Sequence, residues 1–291
     1  MRISIASGKG GTGKTTVAIH LAQAFERQGQ SVTLVDADAE APNVECFLTV
    51  DRSYKTNITQ DIPHFNSGIC IACRRCVSAC AWNALALVRG RIIFSPDLCH
   101  GCGVCTLVCP SHAITEESRQ IGEICQGVTP GPRLPISVWS TQTVIGTTRT
   151  PTVIRAGIAA AMKKSPKAPE KLIVVDGPPG TACPAVAAVR GADLVLLVAE
   201  ATPFGLHDLQ LAVELVTTLQ LPHAVVVNRA DEDRRVQDWC QSQGIAVLAE
   251  IPGDRAVAVA YAQGKLPGDC VPGYAARFDV LANSVQKMVQ Q

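Results

Sequence analysis

Two sets of residues in this chain could do chemistry. The first lies in MRISIASGKGGTGKTT, where Gly8, Gly13, Lys14 and Thr15 have the G-x-x-x-x-G-K-T spacing of a phosphate-binding loop. Glycines there let backbone N–H groups close on phosphate oxygens, and a helix starting near Lys14 points its positive dipole end at the same anion. Gly10, Gly11, Thr12, Gly13, Lys14, Thr15 and Thr16 form the expected nucleotide cradle. Lys14 would reach the β- and γ-phosphates, and the Thr15 hydroxyl would ligate Mg²⁺. The second set is cysteine: 13 in all, eight of them in two runs of C-x₂-C-x₂-C-x₃-C.

Those runs are Cys70, Cys73, Cys76, Cys80 and Cys99, Cys102, Cys105, Cys109, and a shift of 29 residues superposes them. The same shift maps Ala84-Leu85 onto Ala113-Ile114, so the segment is an internal duplication. This spacing belongs to paired [4Fe–4S] clusters, in which the fourth cysteine of each run ligates the other cluster. One cluster would take Cys70, Cys73, Cys76 and Cys109, the other Cys99, Cys102, Cys105 and Cys80. Structural zinc is the competing metal, but zinc knuckles contribute cysteines in pairs and do not call for three evenly spaced thiols and a fourth, twice over. Pro110 follows the second run while Ala81 follows the first. Leu85, Leu87, Ile92, Ile93 and Phe94 bracket a hairpin at Arg89-Gly90 that would cover the clusters or serve as ordinary core.

The elements that must position these groups alternate regularly. Apolar residues at helical spacing run from Thr15 to Arg27, and Ser31–Val35 is a strand with Asp36 and Asp38 at its carboxyl end. Two acids beside a phosphate loop suit Mg²⁺ contact or orientation of an attacking water. Leu172–Val175 is a buried parallel strand ending in Asp176, the second acidic arm and a Mg²⁺ candidate. Strands at 193–199, 223–227 and 245–251 then alternate with helices at 205–219, 233–243 and 254–263. This predicts an α/β fold: a doubly wound, mostly parallel sheet with a small α+β domain inserted. The nucleotide domain is expected over 1–60 and 119–291 and the insertion over 61–118. Residues 123–152 give only weak strand signals.

The lysine preceding the glycines (Lys9), in KGGTGKTT, makes the loop resemble the deviant Walker A loop of the MinD, ParA and nitrogenase-iron-protein superfamily of P-loop ATPases. VDADAEAPN is similar to that superfamily's second acidic motif, and Gly177-Pro178-Pro179-Gly180 resembles its switch II. The resemblance implies ATP as the nucleotide, hydrolysis, and a Lys9 that crosses a dimer interface to the partner's nucleotide. It also implies that Asp38 positions the hydrolytic water and that Asp36 lies near Mg²⁺. Asn228-Arg229 resembles the superfamily's adenine-binding position, and Ile251-Pro252 the loop against the base. Cys183 stands where the iron protein has a ligand of a cluster shared between subunits; a small thiol at a helix start is the simpler account. The cysteine segment resembles bacterial ferredoxin, and the whole is similar to MinD-like ATPases with a ferredoxin insertion and to Mrp-type carriers.

With 47% hydrophobic and 18% charged residues in 291, the composition is that of a globular protein. A net charge of +1 gives no nucleic-acid footprint. No signal-like N-terminus is visible, so a cytoplasmic location is expected. The amphipathic helix expected over 275–288 lacks a basic cluster, which favours core packing over membrane binding. The expected partners are a second copy or a related ATPase, and a redox protein. An ATPase that couples nucleotide state to electron transfer leads; a cluster carrier or a redox-sensing positioning ATPase are the alternatives.

Overall fold

The computed structural model describes residues 1–131, 133–164 and 172–290. In chain order the elements are β1 (Arg2–Ala6), α1 (Lys14–Arg27), β2 (Val32–Asp36), β3 (Asp51–Phe65), α2 (Arg75–Ala79), β4 (Leu85–Val88), β5 (Arg91–Phe94), α3 (Val104–Leu107) and β6 (Ile114–Thr129). There follow β7 (Ile136–Thr143), α4 (Thr150–Lys164), β8 (Leu172–Asp176), α5 (Cys183–Val189), β9 (Leu194–Glu200), α6 (Pro203–Thr218), β10 (His223–Ala230), α7 (Arg235–Ser242), β11 (Val247–Pro252), α8 (Arg255–Ala262), α9 (Pro267–Cys270) and α10 (Tyr274–Val289). The chain divides into two compact units, one of residues 1–56, 124–142 and 150–291, the other of 57–123 and 143–149.

The main sheet has the order β11-β10-β9-β1-β8-β2-β7-β6-β3. β1 pairs parallel with both β8 and β9, β2 with β8 and β7, and β10 with β9 and β11. The fold is therefore α/β with a mostly parallel sheet, as the alternation of elements predicts. Strand side chains alternate between two cores. Ile3, Ile5, Leu194, Leu196, Ala224 and Val226 face α1 and α10, with Phe25 and Phe278 fully buried among them. Val195, Leu197, Val225 and Val227 face Leu209 and Val216 of α6 and Val236 of α7. Burial on both faces explains why these strands read as unbroken apolar runs. Thr202 caps α6 by accepting from the Gly205 N–H at 2.9 Å, and Asp254 caps α8 by accepting from the Ala256 N–H at 2.7 Å.

The weakly patterned stretch 123–152 contains the end of β6, all of β7 and the first turn of α4. β7 is buried through Ile136, Val138, Trp139 and Thr141, but Ser137, Ser140, Gln142 and Thr143 break its apolar pattern. β3 and β6 are longer than anything the sequence suggests, because most of their side chains are exposed and leave no apolar periodicity. No helix among the described residues is long and apolar enough to cross a membrane.

The second unit repeats itself. A 29-residue shift carries the left-handed residues Ala72, Arg74 and Asn83 onto Gly101, Gly103 and His112, which are left-handed too. It also carries the Asn83 N–H to Cys80 carbonyl bond onto that of His112 with Cys109. The Ala84 N–H reaches Cys80 Sγ at 3.4 Å, and its equivalent, the Ala113 N–H, reaches Cys109 Sγ at 3.3 Å. The duplication read in the cysteines is thus a duplication of backbone conformation. β4 and β5 form an antiparallel hairpin through Arg89-Gly90, both with positive φ.

Candidate functional site

Parallel strands deliver their carboxyl ends to one edge of a sheet, where open α/β folds place ligands. Here that edge carries Asp36 (β2), Asp176 (β8), Glu200 (β9), Asn228 (β10) and Pro252 (β11), and β1 runs into the glycine loop. Register holds them level: Asp36 lies opposite Asp176, Ile5 opposite Asp176, and Glu200 opposite Asn228.

Gly13 has φ +93°, and a Cβ there would fall 2.2 Å from Asn228 Nδ2. Asn228 occupies that space because its Nδ2 donates to the Thr12 carbonyl at 2.8 Å, which holds the loop from β10. Gly10 and Gly11 form the exposed tip. Lys14 is buried and its Nζ donates to Ser7 Oγ at 3.0 Å, while Ser7 Oγ donates to the Lys9 carbonyl at 2.5 Å. Burial lowers the Lys14 pKa, and the nearby Asp176 and Asp38 oppose that shift. Thr16 Oγ1 accepts from the Tyr261 hydroxyl of α8 at 2.5 Å.

Asp176 is buried beside Thr15 and Lys14; burial pushes its carboxyl up to about 7, with Thr15 and Lys14 pulling the other way. Its Oδ1 is buried with no hydrogen-bond partner. An orphaned carboxylate oxygen next to a threonine hydroxyl and a lysine fits a hard divalent cation carried with phosphates. Asp36 is occupied otherwise. Its Oδ2 accepts from the Asn43 and Val44 N–H groups at 2.8 and 2.9 Å, and its Oδ1 accepts from the Asp38 N–H at 3.2 Å. Burial and the adjacent Asp176 still raise its pKa well above the usual carboxylate range. Asp36 thus shapes the turn that presents Asp38, which is half-buried and close enough to Lys14 to feel its charge.

The remaining expected residues lie elsewhere on the same edge. Lys9 pairs with Glu200 at 3.3 Å, and Arg229 pairs with the same carboxylate at 2.5 Å. Arg229 has φ +55°, a left-handed conformation that costs a non-glycine residue about 1 kcal/mol. Pro252 is exposed, in register with Ala230. Cys183 is exposed at the start of α5. The 177–180 segment is tied to β1 and its loop by Gly177 N–H to the Ile5 carbonyl and Gly180 N–H to the Ser7 carbonyl. Ser7, Glu200 and Tyr261 belong to no motif, and of the three only Glu200, the acid closing the apolar run of β9, leaves a readable signal in the sequence.

In the second unit the eight cysteines sort into two cavities. Cys70, Cys73, Cys76 and Cys109 line one with Phe65, Ile92 and Ile114. Cys80, Cys99, Cys102 and Cys105 line another with Pro63, Leu85 and Phe94. Among the described residues no three His, Cys, Asp or Glu side chains converge as around a single ion. Four soft thiols spread around an apolar-walled cavity fit a polynuclear iron–sulfur group, whose cysteines stand apart on its corners. The backbone N–H groups aimed at Cys80, Cys99 and Cys109 sulfurs suit thiolate ligands.

Fold and loop together define a nucleotide-binding α/β protein. Residues 3–267 match the CobQ/CobB/MinD/ParA nucleotide binding domain family, and the chain belongs to that family. Two uncharacterized proteins of Methanocaldococcus jannaschii are 29% and 30% identical to it over 231 and 230 residues, 79% of this chain and 80% and 78% of theirs. The cell division ATPase MinD of Pyrococcus furiosus shares the fold at 21% identity and a TM-score of 0.58, over 99% of this chain and 98% of that one. MinD of Pyrococcus horikoshii, solved with Mg-ADP, does so at 20% identity and 0.59, over 99% and 96%. A 51-residue stretch is 47% identical to an iron-sulfur cluster carrier protein of Pyrococcus horikoshii, spanning 18% of this chain and 17% of that protein.

Proposed function

We propose that this chain is an ATP-hydrolysing switch whose nucleotide state governs electron transfer through two [4Fe–4S] clusters. The observation that carries the proposal is the sorting of the cysteines into the 70/73/76/109 and 80/99/102/105 sets within a member of the MinD/ParA nucleotide-binding family. The clusters, when bound, supply one-electron redox chemistry.

The chain's own residues supply the rest. The loop from Gly10 to Thr16 binds the phosphates of ATP, and Lys14 neutralises their charge. Thr15 and the unpartnered Oδ1 of Asp176 hold Mg²⁺. Asp38 orients the attacking water, fixed in place by the turn that Asp36 builds. Lys9 reaches the nucleotide of a second protomer in an ATP-dependent dimer. The 177–180 segment relaxes when the γ-phosphate leaves, because it hangs from the loop by the Gly180 to Ser7 hydrogen bond. Asn228, Arg229 and Pro252 form the base side of the site.

Anaerobically prepared protein, titrated potentiometrically with and without ATP, tests the coupling. A nucleotide-dependent change in cluster potential is expected; identical potentials would sink the proposal. The stretch shared with an iron-sulfur cluster carrier supports a second reading, in which clusters are delivered rather than reduced. Transfer of intact clusters to an apo-acceptor would decide for it.

A further inference from the structure

The two cysteine cavities are related by the 29-residue repeat, and the positions that break the relation are charged or aromatic. Phe65 and Ile114 of the first cavity correspond to Phe94 and Leu85 of the second, and Ile92 corresponds to Pro63. Against that match, Arg74 lines the first cavity where the second has Gly103. The second cavity is also lined by Asp61 and Glu116, whose repeat equivalents are Gly90 and Leu87. Finally, Ser111 and Ile71 stand where the second cavity has Trp82 and His100, stacked with ring centroids 3.5 Å apart and planes at 12°.

The solvent side differs as well. A groove lined by Cys73, Arg75, Leu107, Cys109 and His112 opens beside the first cavity, and Leu107 on its lip is 84% exposed. A cluster that accepts an electron becomes more negative. A guanidinium at its wall and access to water favour that state, whereas two carboxylates and a covering aromatic stack oppose it.

We propose that the repeat has been polarised by charge, so that an electron delivered to this unit settles at the Cys70/Cys73/Cys76/Cys109 site. Arg74 raises the potential there, and Asp61 with Glu116 lowers it at the other site. The transfer is a one-electron exchange in which one cluster is oxidised as the other is reduced, with no proton or third reagent. It rests on the two-cluster reading above.

The test uses the full-length protein, reconstituted anaerobically, at low ionic strength. Iron and sulfide content comes first: one cluster, or zinc, removes the two-cluster reading and this inference with it. With two clusters present, electron paramagnetic resonance during a redox titration should resolve two waves. Arg74→Gln should lower only the upper wave and Arg74→Lys should restore it, while Glu116→Gln should raise only the lower. Added salt should shrink both shifts, because both side chains lie at the exposed rim. A single wave in the wild type, or both variants moving the same wave, overturns the inference although two clusters are bound.

Discussion

Lys9 Nζ lies 3.3 Å from Glu200 Oε2, and Oε1 of the same carboxylate accepts from Arg229 at 2.5 Å. Lys9, the lysine that sets this loop apart, is therefore held by its own chain. The pair is partly exposed, Lys9 at 33% and Glu200 at 13%, so its net worth is about 1 kcal/mol or less. A contact that weak can be exchanged for a phosphate across an interface. Glu200→Gln should raise the ATP-dependent dimer fraction by up to about fivefold, read by sedimentation with a non-hydrolysable analogue. Lys9→Ala should abolish dimer and hydrolysis while nucleotide affinity stays within about twofold, since Lys14 and the loop amides remain. Normal hydrolysis by Lys9→Ala would remove the cross-protomer role.

The loop is braced by Asn228, and that brace leaves no room at Gly13. Gly13→Ala must both adopt φ +93° and displace the amide 2.2 Å away. Its nucleotide affinity should fall by more than about tenfold, measured by titration with a fluorescent analogue. Asn228→Ala loses one hydrogen bond to the Thr12 carbonyl and should cost about fivefold. Equal, small effects from both would mean that the loop is held by something other than this contact.

Cross-ligation makes a prediction about pairs of cysteines. Cys73→Ala/Cys109→Ala should lose no more iron than Cys109→Ala alone, because both line one cavity. Cys80→Ala/Cys109→Ala should lose both clusters, since those thiols belong to different cavities. Iron and acid-labile sulfide assays read the outcome, and loss of both clusters from Cys73→Ala/Cys109→Ala would show that each run keeps its own cluster.

Removing iron should unfold the second unit. Its apolar clusters are small and contain the cysteines themselves: Cys76 packs with Leu85 and Ile114, and Cys99 with Ile62 and Ala84. So few side chains cannot offset the conformational entropy without the bound group. Chelation under air should therefore expose 57–123 to protease while the α1 and α10 core survives.

His20 makes stability depend on pH. It is buried between Tyr274 and Phe278, its Nε2 accepts from the Gly268 N–H at 3.0 Å, and Nδ1 lies 2.8 Å from the Thr16 carbonyl. The Gly268 N–H needs an unprotonated Nε2 and so selects the neutral ring; burial lowers the pKa to about 4, the Thr16 carbonyl opposes that shift and Arg27 adds to it. The unfolded chain, with its imidazole near 6.5, binds the proton first. The stabilisation is thus complete above pH 6.5 and lost as pH falls toward 4, by about 3 kcal/mol. Asp176, raised by burial, acts with the opposite sign across part of that window. The difference between wild type and His20→Leu in urea melts isolates the histidine, and parallel pH profiles would count against it.

Spacing alone singles out the candidate residues. Gly8 to Thr15 and the two cysteine runs are contiguous, and their chemistry depends on short-range geometry that residue type dictates. The alternating apolar runs of β8, β9 and β10 were legible for the same reason, since a strand buried on both faces leaves a continuous signal. β3, β6 and β7 were not, because their exposed or hydroxyl-bearing residues follow no simple period.

What only the tertiary structure decided was proximity between distant segments. Parallel pairing in register set Asp36 against Asp176 and Glu200 against Asn228, and so joined Lys9 to Glu200 and Thr12 to Asn228 across about two hundred residues. The same is true of Asp36, which sequence makes a metal candidate and folding makes the anchor of a turn. Charge asymmetry between two cavities built on one repeat belongs here too. Arg74, Asp61 and Glu116 gain meaning only when folding brings each to a particular set of cysteines.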